Sequence, residues 1–148
     1  MLRSLGAVLL LALVAGVSAR ADDERATFFV SATVPARVAI EAVEHPARLV
    51  ITDDDVLAGH KDVSVRYSVS QNTERGWVLQ LSPRIGITQQ VEVRGLSSDV
   101  VLRDETVEVY RPATAGREDI SLDYRLMLDA DAEPGTYDMP VHVSATPL

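Results

Sequence analysis

The stretch Ala26–Ile40, ATFFVSATVPARVAI, decides how this chain is read. It carries no charge from Ala26 to Ala36, and its side chains alternate. Phe28, Val30, Ala32 and Val34 fall on one face, with Phe29, Ser31 and Thr33 on the other. A period of two is the period of a β-strand, and an uncharged strand of this kind must be covered by another sheet, its own or a neighbour's. Pro35 lacks the N–H a ladder needs, so the strand is expected to break there. Val38 and Ile40 then resume the alternation, with Arg37, Ala39 and Glu41 opposite.

Upstream, residues 1–21 read as a secretory signal, with Arg3 as the positive region and Leu5–Val17 as an uncharged apolar core of 13 residues. At 1.5 Å per residue that core reaches about 20 Å as a helix, short of the roughly 30 Å hydrocarbon layer. Ala19-Arg20-Ala21 fits an A-x-A cleavage site, with Val17-Ser18-Ala19 as a weaker alternative, and no lipid-attachment cysteine follows. Export without a retained membrane anchor, to the periplasm and then the cell surface or medium, is the expectation. Cleavage after Ala21 removes Arg3 and Arg20 and leaves twelve basic against 22 acidic side chains, a charge of −10. An acidic surface argues against nucleic acid and anionic lipid as partners. The absence of cysteine excludes thiolate zinc sites, thiol nucleophiles and disulfide exchange.

Downstream, Leu49–Ile51 makes a short strand that stops at Asp53-Asp54-Asp55, and Asp53–Asp62 reads as loop, with Gly59 free to take positive φ. Val63, Val65, Tyr67 and Val69 alternate with Ser64, Arg66, Ser68 and Ser70. Beyond the polar cluster Gln71–Gly76, Trp77, Leu79 and Leu81 alternate with Val78, Gln80 and Ser82, so an antiparallel hairpin is predicted here. Ile85–Val93, Val100–Leu102 and Thr106–Tyr110 are further strands, and Arg111–Asp119 is a loop. Ile120–Leu128 and Tyr137–Ala145 form a last predicted pair, with Pro140 placing the final strand at a sheet edge or at a point where the chain leaves one. Short strands at this spacing, without a helical period, indicate one all-β antiparallel sandwich domain over residues 22–148.

Chemistry is sparse. Asp53-Asp54-Asp55 and the Asp129/Asp131/Glu133 series each read as a solvated acidic loop or a calcium site, and the first lacks the D-x-D-x-D-G spacing of a calcium loop. His45, His60 and His142 are far apart in sequence, and the hydrolase signatures G-x-S-x-G, H-E-x-x-H and S-x-x-K are absent. No catalytic, metal or cofactor residue is assigned, and an enzyme is not expected. Trp77 is read as core, the other reading being a sugar-stacking aromatic. Tyr137 is placed to hydrogen-bond back into the loop before it, as a tyrosine corner does.

The run VSATVPARVAI near the mature N-terminus resembles the N-terminus of subunits in the alternative, or class 5, branch of chaperone–usher fimbriae. There a T-V-T-A-S-V type strand precedes a proline and a second apolar stretch. VRYSVSQNTERGWVLQL is similar to that family's central strand–turn–strand, and EPGTYDMPVHVSAT resembles its closing Gly-x-Tyr and last strand. Spore-coat-U-like secreted domains share the opening and closing patterns. The resemblance implies an immunoglobulin-like sandwich lacking one strand. A periplasmic chaperone fills the gap first, and the N-terminal segment of the next subunit delivered through an usher fills it later. Phe28, Val30, Ala32 and Val34 would be the inserted face. Phe28-Phe29 is bulkier than the family's usual residues, and the Thr146-Pro147-Leu148 ending departs from it. Two readings remain open: a structural fibre subunit, or a monomeric secreted or periplasmic binding or accessory module. N-terminal sequencing of the exported protein is expected to begin at Asp22.

Overall fold

A computed structural model of the chain describes residues 31–84, 86–114 and 116–148. Val34–Leu148 is one compact unit, and Ser31–Thr33 belong to a separate one. Of the predicted opening strand, the part before Ser31 lies outside the described residues, and Ser31–Arg37 have no strand structure. The elements of the second unit are β1 (Val38–Glu44), β2 (Leu49–Ile51), α1 (Asp53–Ala58), β3 (His60–Gln71), β4 (Trp77–Pro83) and β5 (Thr88–Arg94). They continue with β6 (Val100–Leu102), β7 (Val107–Arg111), β8 (Gly116–Leu128), β9 (Gly135–Tyr137) and β10 (Val141–Pro147).

The fold is an all-β antiparallel sandwich. One sheet has the order β1-β3-β8-β5-β6, the second β10-β4-β7, and a small third sheet pairs β2 with β9. Alternation sets the inner faces. Val65, Tyr67 and Val69 from β3 and Ile120, Leu122, Tyr124, Leu126 and Leu128 from β8 pack against Trp77, Leu79 and Leu81 from β4. Leu49, Ile51, Met139 and Val141 close the same core from the β2 and β10 side. Burying each such side chain contributes on the order of 1.5–3 kcal/mol.

The predicted hairpin over Val63–Leu81 is corrected. β3 pairs with β1 and β8, whereas β4 pairs with β10 and β7, so the two strands lie in different sheets. Their apolar faces meet across the core and are not adjacent in one ladder. The five residues Asn72–Gly76 carry the chain across the roughly 10 Å between stacked sheets. Thr73, itself buried, closes the crossing: its hydroxyl donates to the Gly76 carbonyl at 2.7 Å and accepts from the Gly76 N–H at 3.0 Å. Gly76 has φ 91, and a Cβ there would sit 2.5 Å from the Arg111 carbonyl oxygen, so only glycine fits.

The last predicted pair is corrected for the same reason. β8 pairs with β3 and β5, while Tyr137–Ala145 splits into β9, beside β2, and β10, beside β4. The break falls at Asp138–Pro140, where the buried Pro140 has no N–H to give a ladder. β10 is indeed an edge strand. The loop expected over Arg111–Asp119 ends early, because Gly116–Asp119 pair with Ser68–Gln71 and lengthen β8. Asp53–Asp62 is not loop either. Thr52 caps α1, its hydroxyl accepting from the Asp55 N–H at 3.3 Å while the Asp55 carboxylate accepts from the Thr52 N–H at 2.9 Å. Three aspartates in the first turn suit the positive end of a helix, and Gly59 ends it at φ 71. Tyr137 bonds back as expected, its hydroxyl donating to the Glu133 carbonyl at 2.8 Å.

Replacing Thr73 by valine removes both bonds to Gly76 at nearly constant shape. Urea unfolding followed by Trp77 fluorescence should show a loss of about 1–3 kcal/mol, the cost of leaving buried polar groups unpaired, whereas Thr73→Ser should be near wild type.

Candidate functional site

Strands β1 and β10 are the edges of two different sheets, and they run along the same side of the sandwich. Their Cα atoms approach within 8 Å, yet no hydrogen-bond ladder joins them. Each therefore presents one row of backbone groups without a strand partner among the described residues, the situation in which an extended peptide adds to a sheet. A shallow cleft opens at this seam, lined by Ala42 from β1, Tyr67 from β3, and Val141 and Val143 from β10. Tyr67 and Val141 are also core residues, so the cleft floor is the core itself. Val38, Ile40, Val143 and Ala145 are only partly buried against that core. The strand pattern of their side chains explains this, since each inward residue has a covered and an uncovered flank.

Polar groups gather at one mouth of the cleft. His45, Arg84, Asp138 and His142 line it, and the His45 ring lies 6.0 Å from the Tyr67 ring, tilted by 58°. Burial raises the Tyr67 pKa. Burial, and after it the neighbouring Tyr67 phenol, also raises that of Tyr124. Both phenols therefore stay neutral and act as apolar bodies with a polar tip. At the opposite end of the seam Asn72 holds the chain that enters β1. Its amide oxygen accepts from the Arg37 N–H at 2.6 Å and its amide nitrogen donates to the Pro35 carbonyl at 3.1 Å.

The residues singled out in the sequence fall as follows. Phe28 and Val30 lie outside the described residues. Ala32 and Val34 are exposed and in no strand, Val34 with 74% of its surface free. Trp77 is 0% exposed, so its indole has no open face for a sugar. With the Gln71 amide turned to present its oxygen, the indole N–H donates to it at 3.2 Å. The acidic loops do not converge: among the described residues no three His, Asp or Glu side chains group to hold a metal ion. Asp55 is taken up by Thr52 and by the Lys61 ammonium at 2.9 Å. His45 and His142, far apart in sequence, share one cleft mouth. That proximity follows from β10 crossing beside the end of β1, which no local sequence signal reports. Asn72 was legible only as a turn residue.

Comparison of the chain with protein-family models, with curated proteins and with solved structures returns no match.

The bonds from Thr52, with Lys61 next, hold the Asp55 carboxyl at a pKa of about 2, below its ordinary 3.8. A depressed carboxyl contributes stability above its unfolded pKa and loses it as pH falls through the folded one. Asp55→Asn should therefore be less stable than wild type by about 1 kcal/mol near neutral pH, the size of a helix cap. Thermal melts should show that difference shrinking between pH 3.8 and about 2.

Proposed function

We propose that this chain is a structural subunit of a surface fibre, assembled by adding a neighbour's strand to the open seam between β1 and β10. The observation that carries the reading is that seam: two sheet edges side by side, without a ladder, over a floor of core side chains. The strand order gives further support. An immunoglobulin-type sandwich sets strands A, B, E and D in one sheet and C, F and G in the other. Here β1-β3-β8-β5 follows the first order, and β4-β10 follows C and F. The place of G, beside β10, has no strand among the described residues. The Tyr137–Glu133 bond, just before β10, matches the position of a tyrosine corner.

In this reading the inserted face is Phe28, Val30, Ala32 and Val34. The nine uncharged residues Ala26–Val34 are long enough to run beside the seven of β10. Main-chain bonds supply affinity, and alternate side chains reach the apolar floor. An exported subunit with such a seam needs its edge covered before assembly, the role of a periplasmic chaperone, and a route outward, the role of an usher. Neighbouring copies of the chain are the final partners. No step of this assembly is chemical, and no cofactor enters it.

A synthetic peptide of sequence ATFFVSATV tests the reading when added to the exported protein. At a hundredfold excess over its Kd it should stabilise the fold by about 3 kcal/mol. Amide exchange should slow along Val141–Pro147 and Val38–Glu44, and Val143→Asp should abolish the effect. A peptide that changes neither melting nor exchange would leave the other reading, a self-sufficient monomeric secreted module.

A further inference from the structure

The uncharged stretch that would fill the seam belongs to the same chain, so something must decide whether it folds back or reaches a neighbour. We infer that Asn72 makes this decision: it clamps Pro35 and Arg37 in line with β1, and thereby reserves the seam for the Ala26–Val34 segment of a second copy. The inference rests on the strand-addition reading and adds to it a positioning residue.

Three bonds make the clamp. Besides the two from its side chain, Asn72 donates its own N–H to the Arg37 carbonyl at 3.1 Å. The register of β1 on β3 pairs Val38 with Gln71, so Arg37 opposite Asn72 is the next step of that ladder. The side-chain amide, accepting through its oxygen and donating through its nitrogen, then takes the place of a further strand residue. All three bonds lie on the β3 edge of β1, the edge away from β10. Pro35 and Arg37 are thus held as a continuation of β1.

Register arithmetic shows what this costs a fold-back. The natural reversal is a four-residue loop over Val34–Arg37, a type I turn with Pro35 at its second position. It would set Thr33 opposite Val38 and Thr27 opposite Glu44, so that uncharged residues cover all of β1. The clamp forbids that turn, because it ties the Pro35 carbonyl and the Arg37 N–H to one straight edge. A reversal of the same length must then use Ser31–Val34. Val30 would stand opposite Pro35, Arg25 opposite Ile40 and Asp23 opposite Ala42. The charged leader Asp22–Arg25 would be pressed against the apolar part of the seam, beside Ile40 and Ala42, at the cost of desolvating charge. A second copy meets no such limit, since its segment enters with its register free.

The test compares the full exported chain with Asn72→Ala, using amide exchange of residues 26–34 in the monomer and binding of the ATFFVSATV peptide. Wild type should leave 26–34 unprotected as a monomer and bind the peptide. In Asn72→Ala the monomer should protect 26–34 independently of concentration, and the peptide should bind about tenfold more weakly because the chain's own strand competes, a change on the scale of one net hydrogen bond. Trp77 fluorescence reports whether the variant is folded. If it is not, Asn72→Asp decides, since it keeps the acceptor for Arg37 and loses the donor to Pro35. Unchanged peptide binding and unprotected 26–34 in the folded variant would overturn the role of Asn72 and leave strand addition standing. A wild-type monomer that already protects 26–34 would overturn the inference as well. Failure of wild type to bind the peptide would overturn both readings together.

Discussion

Backbone groups at a sheet edge must find partners, and among the described residues the outer strands β1 and β10 each have a ladder on one side only. β3 and β8 share the longest ladder, twelve consecutive pairs from His60–Met127 to Gln71–Gly116, and the core packs on their inner face. β1 and β10 lie at the margin of that arrangement. Among the described residues each is tied to a neighbour on one side and to none on the other, and the two strands run close together. The cleft and the exposed flanks of Val143 and Ala145 both derive from this margin.

The chain reaches that arrangement by crossing between sheets where a hairpin would have been simpler. Asn72–Gly76 does two jobs at once. Thr73 and Gly76 close the crossing internally, with a glycine conformation and a clearance that no other residue meets. Asn72, one residue earlier, turns its amide to the Pro35–Arg37 segment that precedes β1. A turn of polar residues thus closes the crossing between the sheets and holds Pro35 and Arg37 in line with β1. The acidic first turn of α1 is similarly structural, because its most buried carboxylate is spent on Thr52 and Lys61.

Much of the fold was legible in the residues. The all-β class, nearly every strand, the buried parity of Val65, Tyr67, Val69, Leu79 and Leu81, the burial of Trp77 and the back-bond of Tyr137 follow from alternation and turn chemistry. The helix over Asp53–Ala58 escaped because a six-residue element shows no full apolar period, and its signal lies in Thr52 and Asp55 three residues apart. The seam escaped almost entirely. Ala42, Tyr67, Val141 and Val143 look like ordinary strand residues, and only their meeting at a margin makes them a site.

Alternation is a local property, set by the two-residue repeat of an extended backbone, and so the amino-acid order alone determined which side of each strand is apolar. Which strand lies beside which is a different matter. An apolar face can be buried by a neighbour in the same ladder or by a sheet across the core, and both give the same pattern. Packing of Trp77, Leu79 and Leu81 against β3 and β8 chose the second, and only the tertiary structure records that choice. The open seam follows from it, because placing β4 and β10 in a separate sheet leaves β1 and β10 side by side with no strand between them among the described residues.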